Sequence, residues 1–182
     1  MRQALALSKA ALGWAARFYG HHPLLVIGLS LVPTVQRFLV VRFDVATPVA
    51  VTTEVLVVLV RLLLLLLIAG LMLRELAATG IDRRAAWSRL TAGIDARPVA
   101  FWLQWVVLAA AFVVFDVIPN AVIAAAVPEA SRETVTAVVV AVKNPTVIAF
   151  TFLWLVGIAR TLIVAPVDDH PPVDTPADAR PA

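Results

Sequence analysis

Residues 49–73 read VAVTTEVLVVLVRLLLLLLIAGLML, and this stretch decides the fold. Its only charged side chains are Glu54 and Arg61. About 20 apolar residues suffice to cross a bilayer core of about 30 Å, and this run exceeds that. The leucine block Leu62–Leu67 has no use on a water-facing surface. An arginine in the middle of such a run costs about 2.5–3.5 kcal/mol on the insertion scale, so Arg61 calls for a partner or a wet cavity.

Composition extends the membrane reading to the whole chain. Of 182 residues, 62% are hydrophobic and only 15% charged, with a mean hydropathy of +0.94. A water-soluble domain carries about 25% charged residues, enough to cover its surface. Here lipid is the expected solvent of the outer face. There is no cysteine, which excludes disulfides, thiolate metal sites and a cysteine nucleophile. Arginine outnumbers lysine thirteen to two, and the arginines sit beside apolar runs. That placement reads as membrane flanking and excludes the aromatic-studded basic face that nucleic acid requires.

Around the central run, the chain reads as an all-α polytopic membrane bundle of about four transmembrane helices, preceded by an amphipathic helix. Residues 1–22 place Ala4, Leu7, Ala11, Trp14 and Phe18 on one side of a helix and Arg2, Lys9 and Arg17 away from it. This is the pattern of a helix lying in the cytoplasmic headgroup layer. The spread of its charges leaves no uninterrupted apolar core of a signal peptide, so the segment is expected to be retained.

The membrane domain is expected over residues 23–165, with spans at 23–41, 49–73, 99–118 and 146–165. Within the first, Pro33 is tolerable where neighbours re-satisfy the freed carbonyl. A polar connector, 74–98, holds five arginines, and Asp82 is placed to cap a short helix through Ala85, Trp87 and Leu90. Trp102 and Trp105 suit an interfacial belt at the start of the third span. Residues 119–145 hold two short apolar pieces around Pro128, Glu129, Arg132 and Glu133, neither long enough to cross, and read as an external interfacial or re-entrant segment. Residues 166–182, rich in Pro, Asp and Ala, read as a disordered cytoplasmic tail. With the 74–98 connector inside, basic residues favour the cytoplasm ten to four, so both termini are expected there, in the cell membrane.

The two halves share a plan. Each opens with a basic segment and a proline, and each second span follows a polar residue and a proline, Thr47-Pro48 or Asn144-Pro145. Each of those spans carries an arginine, Arg61 or Arg160. Duplication would explain this, and so would the positive-inside rule acting on any four-span chain.

Four ionisable residues fall at membrane depth: Arg37, Glu54, Arg61 and Asp116. The proposed topology puts Arg37, Glu54 and Asp116 in the outer half. Glu54 and Arg61 are seven residues apart, which is about 20° around the helix and about 10.5 Å along it. Asp116 competes with Glu54 as partner for Arg61. One reading is a polar site open to protons, ions or a lipid headgroup; the other is an ionic clamp that fixes helix packing. Adjacent His21 and His22 point about 100° apart with no third ligand nearby, which favours packing over metal binding.

The run GWAARFYGHHPLLVIGLSLVP, with the Ala, Val and Arg bias, resembles small integral membrane proteins of high-GC actinobacteria to which no activity is assigned. The resemblance extends to the general plan and implies no catalytic residues. With no nucleophile elbow, phosphate loop, zinc-protease motif or catalytically spaced acid pair, the expectation is a non-catalytic structural or accessory membrane protein. It needs no cofactor or metal and assembles with a membrane-protein partner or with itself. The alternative is a small oligomeric transporter or channel using Glu54, Arg61 and Asp116. A lipid-modifying enzyme ranks third, for want of a reactive constellation.

Overall fold

The computed structural model describes residues 2–43 and 47–165; the expected tail and part of the link before Pro48 lie outside the described residues. Every regular element among the described residues is helical. They are α1 (Arg2–His21), α2 (Pro23–Arg42), α3 (Thr47–Ala78), α4 (Arg83–Ala96), α5 (Pro98–Phe112), α6 (Ile118–Ala126), α7 (Glu129–Lys143) and α8 (Ala149–Val164). Two π-helical segments, Val113–Val117 and Asn144–Ile148, join α5 to α6 and α7 to α8 without a break. Four helices are thus long and apolar enough to cross a membrane: Pro23–Val40, Thr47–Ala78, Pro98–Ala126 and Glu129–Val164.

The π-helical segments have a local cause. A proline inside a helix donates no N–H, and its ring clashes with the carbonyl four residues earlier. Pro119 threatens the carbonyl of Phe115, and Pro145 that of Ala141. Widening the turn relieves the clash while the helix runs on. Tyr19 Oη donates to the Pro145 carbonyl at 3.1 Å, so part of the widened turn is satisfied from α1. Residues 119–145, expected as two separate short pieces, are therefore the far ends of two long helices that meet at Val127-Pro128. Length counted between prolines misjudged them, because neither proline ends its helix.

Helix α8 is the axis of the bundle. Leu153, Trp154, Val156, Ile158, Leu162 and Ile163 are all buried. Helix α1 packs along α8 with Ala4, Leu7, Ala11, Trp14, Ala15 and Phe18 buried. This is the apolar face expected from the sequence, but α8 and α5 cover it where lipid was expected to. Small residues make the approach possible: a Cβ on Gly157 would fall 2.7 Å from the Ala11 carbonyl oxygen. Gly93 of α4 meets the Leu162 carbonyl oxygen in the same way, at 2.9 Å. Buried Gln104 ties α5 to α1, accepting from Ser8 Oγ at 2.6 Å and donating to the Ala4 carbonyl at 3.2 Å.

The turn from α3 to α4 follows its residues closely. Gly80 adopts φ +85, the left-handed conformation that favours glycine. Gly80 N–H donates to Ala77 O and Ile81 N–H to Leu76 O, both at 3.0 Å, closing α3 in a Schellman motif. Leu76 and Ile81 then enter the same core. Asp82 caps α4 by accepting from Ala85 N–H at 2.7 Å, as its position predicts.

Helix α5 with α6 is the least covered part of the fold. Of its side chains only Ala100, Gln104 and Ile123 are buried, while Trp102, Trp105, Val106 and Phe112 are exposed.

Candidate functional site

Ionic contacts gather at two levels of α3. Glu75 accepts from Arg160 at 2.7 Å and from Trp14 Nε1 at 3.1 Å, knitting α3 to α8 and α1. The Arg160 guanidinium also lies 6.0 Å from the centre of the Trp14 ring. Glu54 takes Arg37 of α2 at 3.3 Å. These two carboxylates are 21 residues apart on one helix, about 31 Å at about 1.5 Å per residue. The arginines that matched in the two-halves plan are not equivalent, since Arg160 belongs to the Glu75 level and Arg61 lies toward Glu54.

Between α2, α3, α7 and the two π-helical segments lies a cavity of about 440 Å³. All four charged residues singled out from the sequence line it: Arg37, Glu54, Arg61 and Asp116. Gln36, Asn120, Thr136, Lys143 and Asn144 complete its polar wall, with Pro33, Val57, Val140 and Ile148 as its apolar part. The pairing differs from expectation. Glu54 engages Arg37 and Gln36, the latter at 3.5 Å. Asp116 engages Lys143 and, at 3.5 Å, Asn120. Neither carboxylate reaches Arg61. Arg61 Nη2 donates instead to Asn144 Oδ1 at 3.2 Å.

Helix register accounts for this. Glu54 lies about 10.5 Å along α3 from Arg61, and Arg37 arrives on α2 at its own level. Asp116 meets Lys143 because the hairpin of α6 and α7 brings both π-helical segments to the cavity. The sequence pointed to these positions weakly. Asn120 and Asn144 each adjoin the proline that produces a widened turn, and Lys143 ends α7 in the stretch read as external.

Two residues of the wall each hold a buried donor with no partner, and both also border a void of about 10 Å³ beside Ser30 and Phe152. Asn144 is 3% exposed and its Nδ2 is unsatisfied; Arg61 Nε is buried and unsatisfied as well. Trp154 Nε1 and Arg160 Nε share that condition but do not line this cavity. A buried polar group without a hydrogen bond costs about 1–3 kcal/mol. Three cationic side chains face two carboxylates here, and both orphan groups are donors. The arrangement is short of acceptors and of negative charge. Toward the Glu75 level the cavity is closed by buried Val26, Leu64, Ile68, Ala149 and Leu153.

Among the described residues no three His, Asp or Glu side chains converge as metal ligands. His21 Nδ1 lies 2.7 Å from the Arg17 carbonyl, and the His22 ring packs on Phe18 at 4.6 Å. The chain matches no known protein family, no curated protein and no solved structure.

Proposed function

We propose that this chain is a non-catalytic integral protein of the cell membrane whose cavity binds an anionic, acceptor-rich group. Its four spans leave both termini and residues 74–98 in the cytoplasm. The membrane reading is supported by four long apolar helices and by the match between the Glu54–Glu75 spacing and a hydrocarbon core of about 30 Å. Arg61 then lies about 10 Å inside the outer boundary.

The observation that carries the binding reading is a polar cavity lined by three cations and two carboxylates, in which both carboxylates are engaged by Arg37 and Lys143 and Arg61 has no carboxylate partner among the described residues. A carboxylate or phosphate supplies the negative charge that Arg61 lacks there. The test is the small-molecule content of the full chain purified in mild detergent. An anionic compound is expected to accompany the wild type in stoichiometric amount and to be lost from Arg61→Met. Equal content in the two would overturn the reading.

Transport is the second reading, and the two π-helical segments favour it. Single π-helical turns inside continuous helices occur frequently at functional sites. Helices so widened can shift, and shift they must, since the core closes the cavity toward Glu75. Anion flux into liposomes that vanishes in Arg61→Met would establish it. The accessory role keeps the support of the sparsely covered Pro98–Ala126 helix, which leaves a broad apolar face for a partner or a second copy.

A further inference from the structure

The polar cavity does not stand alone. Asp116, Lys143 and Ile148 are walls of two spaces at once: the cavity on one side, and on the other an apolar groove of about 520 Å³ between α5 and α8. That groove shares Ala111, Phe115, Val147 and Thr151 with a second apolar groove of about 690 Å³, which continues along α1. Each volume falls in the range of about 300–1,000 Å³ in which small-molecule sites are found. The Lys143–Asp116 pair is thus the boundary between a polar chamber and an apolar trough.

From this juxtaposition we infer that the ligand is an anionic lipid, with its headgroup in the cavity and an acyl chain along the groove between α5 and α8. The inference rests on the binding reading above and narrows it to one source of the anion. A free carboxylate or phosphate would neutralise Arg61 and leave the adjoining groove unfilled. An amphiphile satisfies both spaces in one molecule. Charge complementarity selects the acidic headgroup: Arg61 lines the cavity without a carboxylate partner among the described residues, whereas Glu54 and Asp116 are already engaged by Arg37 and Lys143. Basic pockets between membrane helices recognise acidic headgroups by the same logic. Entry is lateral, beside the sparsely covered α5, where Trp105, Phe112 and Phe115 are exposed.

The test uses the full chain in a neutral maltoside detergent with equimolar phosphatidylglycerol and phosphatidylcholine, read by native mass spectrometry. The wild type is expected to retain one phosphatidylglycerol in preference to phosphatidylcholine. Arg61→Gln removes the headgroup contact, and Ala111→Trp fills the groove without touching the cavity. Each is expected to weaken retention by about tenfold or more. A competition on the wild type alone needs no variant: dodecyl phosphate is expected to displace the lipid at concentrations where inorganic phosphate does not.

Displacement by inorganic phosphate as effective as by dodecyl phosphate, with Ala111→Trp retaining lipid like the wild type, would overturn the lipid assignment and leave the anion site standing. Equal retention of both lipids, unchanged in Arg61→Gln, would overturn the lipid and the anion site together. A lipid-free dimer that Ala111→Trp dissociates would place a second copy in the groove and would also overturn the inference.

Discussion

Arg61 of α3 donates to the side-chain oxygen of Asn144 at 3.2 Å across 83 residues of chain, and each keeps a buried donor with no acceptor. An arginine whose work is to fasten helices is expected to be paired with a carboxylate. Among the described residues Arg61 makes no ion pair, although Glu54 and Asp116 line the same cavity.

Arg61→Met therefore separates packing from binding. The variant loses one hydrogen bond from a charged donor, worth about 1.5–3 kcal/mol, and this is offset by relief of a desolvated charge. Detergent-solubilised Arg61→Met is expected to unfold within about 1 kcal/mol of the wild type while losing its anionic ligand. Collapse of expression, or aggregation in every detergent, would return Arg61 to a structural role.

Gly157 tests the seat of α1. A Cβ there lies 2.7 Å from the Ala11 carbonyl oxygen, so Gly157→Ala must push α1 away from α8. A cost of about 1–3 kcal/mol is expected, as for other overpacked cores, with faster proteolysis of α1. Gly70→Ala is the control. A Cβ at Gly70 meets nothing within 4 Å, so a gain of about 0.5–1 kcal/mol is expected from helix propensity. Equal responses at the two sites would show that α1 does not pack as described.

The Glu75–Arg160 pair, with side chains 46% and 24% exposed, is expected to contribute modestly. A double-mutant cycle with Glu75→Gln and Arg160→Gln is expected to give a coupling of about 1 kcal/mol or less. Quenching of Trp14 should change in both single variants, because the indole donates to Glu75 and Arg160 lies over its ring. An unchanged Trp14 spectrum would count against this cluster.

Much of this fold is legible in the residues. The run around Leu62–Leu67 admits a long apolar helix, Asp82 caps α4, and Ala4, Leu7, Ala11, Trp14 and Phe18 are the buried side of α1. What covers that side was not legible, since amphipathic periodicity is the same whether lipid or protein supplies the apolar surface. Pro119 and Pro145 misled for a different reason. In water a proline is a sound helix stop, whereas a long packed helix absorbs it by widening one turn. The four charged residues did converge on one cavity, but the partners of Arg61 and Asp116 depended on that misread hairpin. Lys143, Asn144 and Asn120 reach the cavity only because α6 and α7 continue the long helices.

The most direct measurement exploits the absence of cysteine from the chain. Single thiols are introduced at Val140, on the cavity wall, and at buried Leu64 in the core beyond it. Each variant is then exposed in intact membranes to a charged, impermeant thiol reagent from either face. The account predicts labelling of Val140→Cys from the face opposite residues 74–98 only, slowed while the anionic ligand is bound, and none of Leu64→Cys. A Val140→Cys thiol as inert as Leu64→Cys, or one reached only from the side of residues 74–98, would contradict it.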